Sequence, residues 1–177
     1  MDLVAISEKA GEDPGGYVAQ ITECVSSILS IPDLVTYGVP RKGNHFSDSM
    51  WLYFDTTMSI VCGPLPKLFS VPVHNHGTWE VLALYRGAVK YTSYHRLDAC
   101  DVEYYAELEV EKDVILRAGD ITLTPPPPND LHGFTGLADD SFAVSVIGNP
   151  LAPKRMYFRP DQQYYITQEP EEWKRQQ

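Results

Sequence analysis

The chain has 177 residues, a formal charge of −10 at pH 7 and 44% hydrophobic residues. This length suits one domain with a single buried core, and the sequence contains no apolar run long enough to span a membrane. The negative charge argues against nucleic acid or an anionic membrane surface as a partner. The first residues lack the basic start and apolar stretch of a signal peptide, and Cys24, Cys62 and Cys100 are too widely spaced to suggest a disulfide framework. We therefore expect a cytoplasmic protein with free thiols.

The N-terminal part of the chain predicts one helix. Residues 1–13 are polar, and we expect them to be irregular. From Tyr17 to Ile31 apolar residues recur at helical spacing, which predicts a helix that packs its apolar face on the rest of the protein. This helix should end before Pro32, because proline restricts the residue that precedes it. Residues 36–48 are loop-like, and His45 in this loop is predicted to be a surface histidine.

From Met50 onward the sequence changes to β character. Short runs rich in β-formers are separated by Asp, Gly and Pro, a pattern typical of a sandwich or barrel. The predicted strands are 51–54, 58–62, 68–71, 72–87, 88–96, 102–111, 114–116, 121–123, 131–135 and 142–147. Beyond Pro160 the tail is polar and aromatic, and residues 169–177 are predicted to form a final helical turn.

The stretch 72–87 contains the main functional signal. Read as a strand, its alternation places His74, His76 and Glu80 on one face, which continues through apolar residues and should be buried. Burying three such groups without partners would cost about 1–3 kcal/mol each. Imidazole and carboxylate are natural ligands of divalent ions, so a bound metal would remove this cost. Core histidines satisfied by hydrogen bonds are the alternative.

The spacing in this stretch resembles the first motif of the cupin superfamily, which reads His-x-His, three residues, Glu, six residues, Gly. The matching residues are His74, His76, Glu80 and Gly87. The second cupin motif begins Gly-x5-Pro and delivers a further histidine; residues 119–125 match this opening, and His132 follows. The resemblance implies a mainly β, double-stranded β-helix (jelly-roll barrel) with a short N-terminal helical region. Its expected parts are a helical extension packed on the barrel (1–45), the barrel (46–160) and a C-terminal tail (161–177).

Within the cupins, residues 51–87, 130–132 and 154–160 resemble the bacterial cysteine and 3-mercaptopropionate dioxygenases. That resemblance implies Fe(II), with a thiolate and dioxygen binding its open positions and a sulfinate as product. The implied iron ligands are His74, His76 and His132. It also implies that Arg155 binds a substrate carboxylate, for which a planar guanidinium is well suited. An ordinary surface cation is the alternative for Arg155.

The sequence departs from the thiol dioxygenases in two respects. Their Ser-x-His-x-Tyr segment corresponds here to Ala143, Ser145 and Ile147, so the imidazole and phenol are missing. They also lack the motif glutamate, which is present here as Glu80. With Glu80 as a fourth ligand, an octahedral ion keeps two open positions instead of three. Glu80 could instead leave the metal and act as a general base.

Three hypotheses follow. The first is a non-haem Fe(II) dioxygenase of a small organic substrate, either a thiol or a compound whose carbon–carbon bond is cleaved. The second is a cupin enzyme of another class, such as an isomerase or hydrolase that uses Mn, Ni or Zn, since this ligand set accepts several divalent ions. The third is a non-catalytic binding protein.

We expect a small-molecule substrate and dioxygen as partners, and a homodimer by analogy with other cupins. Four aromatic residues are candidates for the pocket wall: Tyr53, Trp79, Tyr91 and Phe134.

Overall fold

The computed structural model describes residues 2–41, 48–148 and 150–175. His45, predicted to lie on the surface, falls outside the described residues. The helices are α1 (Leu3–Ala10), α2 (Val18–Leu29) and α3 (Pro170–Arg175). The strands are β1 (Val39–Pro40), β2 (Met50–Phe54), β3 (Met58–Pro64), β4 (Ser70–His74), β5 (Glu80–Arg86), β6 (Ala88–Arg96), β7 (Leu108–Arg117), β8 (Ile121–Thr124), β9 (Leu131–Gly136), β10 (Phe142–Gly148), β11 (Arg155–Arg159) and β12 (Tyr164–Gln168).

The strands pair in a nested order. β6 pairs with β7, β5 with β8, β4 with β9 and β3 with β10, always antiparallel. Successive pairs alternate between two six-stranded sheets, so the chain behaves as one long hairpin rolled into a barrel. β1 and β2 extend one sheet, and β11 and β12 extend the other. This winding is a jelly roll of two packed antiparallel sheets, and the prediction of a double-stranded β-helix is confirmed.

Strand β5 shows how the sequence builds two layers of core. Its side chains alternate, and Leu82 and Leu84 point into the barrel, where they join the cluster between the sheets. Val81 and Ala83 point the other way and join a second cluster, to which α2 contributes Ile21. The predicted helix therefore covers the outer face of this sheet with its apolar side, as its spacing indicated.

The first helix was not predicted from the sequence. Residues 1–13 were expected to be irregular, but they contain α1, whose first turn donates two backbone N–H groups to the side chain of Asp2. Ile6 is buried in the core beside α2. The indole of Trp79 donates to the Gly11 carbonyl at 3.0 Å and ties the end of the helix to the barrel. A side-chain cap and contacts with distant residues thus outweigh the weak local pattern.

The stretch 72–87 is not one continuous strand. β4 ends at His74 and β5 begins at Glu80, with a loop between them in which Gly77 has a φ of +75°. The prediction that His74, His76 and Glu80 share one strand face is therefore wrong, because His76 lies in this loop. The three side chains nevertheless converge, for reasons of tertiary structure.

Two further elements differ from prediction. The strand expected at 102–111 begins only at Leu108, because turns with positive φ at Cys100 and Tyr104 precede it. It then continues as β7 to Arg117, through the break expected near residue 113. In the tail, β12 pairs with β11 and was not predicted, whereas the final helical turn is present as α3. No helix in the described ranges is long and apolar enough to cross a bilayer.

Candidate metal centre

Strand pairing brings two of the predicted ligands together. His74 is the last residue of β4, and His132, near the start of β9, is its direct partner in the antiparallel register. Residues that face each other across such a pair have side chains in contact. The two ring centroids are 4.9 Å apart, and both residues are buried.

His76 reaches the same point from the loop between β4 and β5. The buried carboxylate of Asp130 accepts the backbone N–H of His76 at 3.1 Å and that of Gly77 at 2.6 Å. The carbonyl of His76 accepts the N–H of Ala152 at 3.0 Å. On the other side of the loop, Asn75 Oδ1 accepts the N–H of Met156 at 2.8 Å. These bonds hold in place the loop that carries His76.

Glu80, the first residue of β5, approaches from the opposite sheet. Its Oε2 lies 3.1 Å from Nε2 of His76 and 3.1 Å from Nε2 of His132, and the two nitrogens are themselves 3.1 Å apart. With metal–ligand bonds of about 2.1 Å, adjacent ligands lie about 3.0 Å apart in an octahedron and about 3.4 Å apart in a tetrahedron. The triangle therefore has the size of one face of a coordination sphere, closer to an octahedral one. Ligand-type atoms of His74, His76 and His132 all lie within 4.8 Å of one another.

The protonation states suit a divalent cation. Burial, helped by the charge of Arg155, lowers the pKa of His76 to about 3, and burial also lowers the pKa of His132. Both imidazoles are therefore neutral at pH 7. Burial acts to raise the pKa of Glu80, but the two imidazoles and the Ser145 hydroxyl outweigh it, and the pKa of Glu80 falls well below its usual range. Neutral imidazoles and an ionised carboxylate are the forms that bind metal.

One oxygen of Glu80 faces the imidazoles and is poorly satisfied by them. Glu80 Oε2 is buried, and the Nε2 atoms of His76 and His132 lie 3.1 Å from it without forming a well-aligned hydrogen bond among the described residues. A buried, unsatisfied carboxylate oxygen is costly. A cation within the triangle would satisfy this oxygen and both Nε2 atoms together. The residues present therefore fit a divalent metal ion.

The outer nitrogens of two imidazoles have protein partners. Nδ1 of His74 donates to the Pro72 carbonyl at 2.9 Å, so the lone pair of this neutral imidazole is on Nε2. Nδ1 of His132 lies 3.1 Å from the Thr124 hydroxyl, which is 2.8 Å from the Tyr91 hydroxyl. Metal-binding histidines typically have such a partner on the nitrogen that faces away from the metal.

His76 differs in this respect. Its Nδ1 faces Nη1 of Arg155, a residue only 4% exposed, and the same Nη1 donates to the Asn75 carbonyl at 3.0 Å. A guanidinium donates and never accepts, so Nδ1 must be the acceptor and the proton of His76 must be on Nε2. A metal ion on Nε2 requires that proton to be on Nδ1. Metal binding by His76 is thus coupled to a change in the Arg155 contact.

His74, His76 and Glu80 line a cavity with an enclosed volume of about 40 Å³, and His132 lies behind them. This volume has room for a metal ion or a few water molecules. Among the aromatic residues proposed as walls, Phe134 lines this cavity and Tyr91 packs against the ring of His132. Trp79 and Tyr53 instead belong to the core beside the helices. The other apolar wall residues are Val61, Leu65, Leu82, Ala143, Ile147 and Pro170.

Strand β10 supplies the part of the wall where the thiol dioxygenases carry Ser-x-His-x-Tyr. Ala143, Ser145 and Ile147 all line the cavity. The thiol dioxygenases have an imidazole and a phenol in this part of the wall. This protein has small or apolar side chains and one hydroxyl there.

Three residues at the site were missed by the sequence analysis. Arg41 lines the cavity from the segment after β1, Asp130 holds the His76 loop, and Thr124 contacts His132. The position of Asp130, two residues before His132, was a usable signal. Arg41 gave none, because it lies far from both motifs and reaches the cavity only through the fold.

Fold and site together define the class of this protein: a double-stranded β-helix, the cupin fold, with a three-histidine group able to bind a metal. No protein-family model matches the sequence, and no protein with a curated description matches it.

Solved structures resemble the chain in fold. KdgF from Halomonas sp. is 15% identical, with a TM-score of 0.44, over 65% of this chain and 83% of that one. A double-stranded β-helix protein from Klebsiella pneumoniae is 18% identical, with a TM-score of 0.46, over 67% and 84% of the two chains. A cupin superfamily protein from Desulfitobacterium hafniense is 16% identical, with a TM-score of 0.41, over 56% and 73%. At these identities the likeness is one of fold alone.

Proposed function

We propose that the protein is a metal-dependent enzyme and, specifically, a non-haem Fe(II) dioxygenase of a small organic anion. The observation that supports this most directly is the 3.1 Å triangle of His76, His132 and Glu80, with His74 beside it, in a cavity that two arginines and several apolar side chains also line.

In this proposal His74, His76, His132 and Glu80 hold the ion. Four ligands leave two positions of an octahedral ion, enough for dioxygen and one atom of the substrate. Fe(II), when bound there, supplies the redox chemistry that dioxygen requires.

The remaining chemistry belongs to the protein. Arg155 is a buried cation in the cavity wall and would orient an anionic substrate, as the resemblance implies. Glu80 is ionised and in reach of the same space, so it could accept a proton from the substrate if it left the metal. The apolar wall formed by residues such as Leu82 and Phe134 excludes water from the bound substrate.

The walls bear on the choice of substrate. A thiol substrate would find no imidazole or phenol on β10, where Ala143, Ser145 and Ile147 line the cavity. Glu80 also occupies a position that bidentate thiol binding together with dioxygen would need. We therefore place oxidative cleavage of a carboxylate-bearing substrate ahead of thiol oxidation.

The contact of Glu80 with both imidazoles also favours a second candidate. Three histidines and one carboxylate accept Mn, Ni or Zn as well as Fe, and metal availability decides among them. An ionised Glu80 could then move protons in an isomerase or hydrolase-type reaction without dioxygen. A non-catalytic binding protein is the third candidate.

The experiment combines metal analysis with oxygen uptake. Elemental analysis of the purified protein tests whether it holds a metal, and His132→Ala is the control that should lose it. Protein loaded anaerobically with Fe(II), or with Mn, Ni or Zn, is then mixed with thiols, β-diketones and small carboxylates while dioxygen is monitored. Uptake with Fe(II) alone supports the dioxygenase. Bound metal without uptake, but with turnover of an anaerobic substrate, supports the second candidate instead.

A further inference from the structure

Arg41 is a cation of the cavity that the proposed chemistry leaves unused. Its backbone N–H donates to the Ser49 carbonyl at 2.8 Å, and its guanidinium lies 4.4 Å from the ring centroid of Trp51. The side chain is half-buried and lines the cavity. Within the described part of the chain, this guanidinium makes neither a hydrogen bond nor an ion pair. Stacking on an indole holds a guanidinium in position without using its N–H donors.

Arg155 lines the same cavity and also has an unused donor. One of its nitrogens is committed to Asn75 and His76, but its Nε is buried and has no partner among the described residues. Burial, followed by the charge of Arg155, lowers the pKa of Arg41 to about 10, so both groups are cations at pH 7. The cavity wall therefore carries two positive charges, those of Arg41 and Arg155, and one negative charge, that of Glu80. A divalent ion would add two more, in a protein whose formal charge is −10.

We propose that Arg41 is a substrate-binding residue that, with Arg155, takes a carboxylate group of a small substrate whose apolar body lies against Phe134 and Leu82. This inference rests on the proposed function as far as the metal-bound end of the substrate is concerned. The anion subsite itself consists of the protein's own side chains. A carboxylate matches the planar fork of a guanidinium through two parallel hydrogen bonds. The apolar wall disfavours phosphate, because a phosphate oxygen turned toward it would be desolvated without a donor.

Calorimetric titration tests the subsite separately from turnover. The probes are butanoate and its neutral counterpart butanamide, added to the protein with its metal content measured beforehand. Arg41→Gln removes the charge and the fork, and Arg41→Lys keeps the charge alone. Arg86→Gln is the matched control, because Arg86 is an exposed arginine that also stacks on aromatic rings, those of Tyr85 and Phe142, at the other end of β5.

We expect wild-type protein to prefer butanoate over butanamide, and Arg41→Gln to lose about tenfold to a hundredfold in butanoate affinity, as befits a charged hydrogen-bonded pair. Arg41→Lys should recover only part of this loss, and Arg86→Gln should match wild type. Equal butanoate affinity in Arg41→Gln and wild type would overturn the inference. So would Arg41-dependent binding of inorganic phosphate without binding of butanoate.

The two proposals fail in different ways. A protein that holds no metal but binds butanoate through Arg41 removes the dioxygenase and keeps the subsite. A protein that holds iron and consumes dioxygen with neutral substrates, with no effect of Arg41→Gln on affinity or on KM, keeps the dioxygenase and removes the subsite.

Discussion

Arg155 donates a hydrogen bond to Nδ1 of His76, the one imidazole of the cluster whose outer nitrogen faces a cation instead of an acceptor. His74 donates to a carbonyl at the corresponding position, as metal-binding histidines generally do. A proton on Nδ1 of His76 and the guanidinium of Arg155 cannot both point at the same space. The Arg155 contact therefore favours the metal-free tautomer of His76.

Replacing Arg155 by methionine should strengthen metal binding. The change removes a donor that opposes the metal-binding tautomer, and it removes a buried positive charge near the ion. We expect Zn(II) or Co(II) affinity, measured by competition with a chelator, to rise up to about tenfold, since about 1.4 kcal/mol corresponds to that factor. Stability should fall, because the Asn75 carbonyl loses its donor. A drop in metal affinity would mean that Arg155 positions His76 for binding, and the tautomer argument would then be wrong.

Replacing Glu80 by glutamine tests whether the carboxylate is a ligand. The amide keeps the shape but removes the negative charge that lies 3.1 Å from both Nε2 atoms. Metal retention after dialysis against a chelator should fall at least about tenfold, a loss that even indirect partners of a metal commonly cause. Glu109→Gln, on the exposed part of β7, is the control. Unchanged retention would assign Glu80 to the role of a base or a bystander.

Replacing Asp130 by alanine should release the loop that carries His76. Two backbone N–H groups, those of His76 and Gly77, lose their common acceptor. Each buried N–H left unsatisfied costs about 1–3 kcal/mol, so a loss of about 2–4 kcal/mol in the free energy of unfolding is expected, together with weaker metal binding. Asp120→Ala removes a similar acceptor from the exposed turn before β8 and should leave metal binding unchanged. Wild-type metal affinity in the Asp130 variant would show that the loop holds its shape by other means.

Asp98 should make stability depend on pH in the acid range. Its carboxylate accepts two hydrogen bonds from Arg96 at 2.9 Å, and this pair is the main reason why the pKa of Asp98 falls to about 2. Because the folded pKa lies below the unfolded value of about 3.9, the stabilisation is complete above pH 4 and is lost as the pH falls toward 2.

Asp98→Asn is the variant that tests this dependence, with urea unfolding at pH 7, 5, 4 and 3 as the measurement. It should be less stable than wild type by about 1–3 kcal/mol at neutral pH, with the difference shrinking at pH 3. Asp101→Asn, at an exposed position of the same turn, serves as the control. A difference that stays constant with pH would remove the ion pair as its cause.

The candidate metal centre shows what the sequence motif could predict and what it could not. Its residue types and spacing identified His74, His76, Glu80 and His132 as a group, and the structure does bring them together. The reason given for His76 was nevertheless wrong, because strand alternation does not operate in a loop. Asp130, a residue distant in sequence, holds that loop through two backbone hydrogen bonds.

The sequence by itself determined the β-rich core, the helix α2 and the identity of the candidate metal-binding side chains, because alternation, helical spacing and ligand chemistry are local properties. Only the tertiary structure decided that α1 forms on the barrel, that β12 joins β11, and that Arg41 lines the same cavity as Glu80. These features depend on contacts between distant residues, whose energies exceed the local preferences of the segments concerned. A linear pattern does not show these contacts, because the residues concerned come together only when β3 pairs with β10 and the barrel closes.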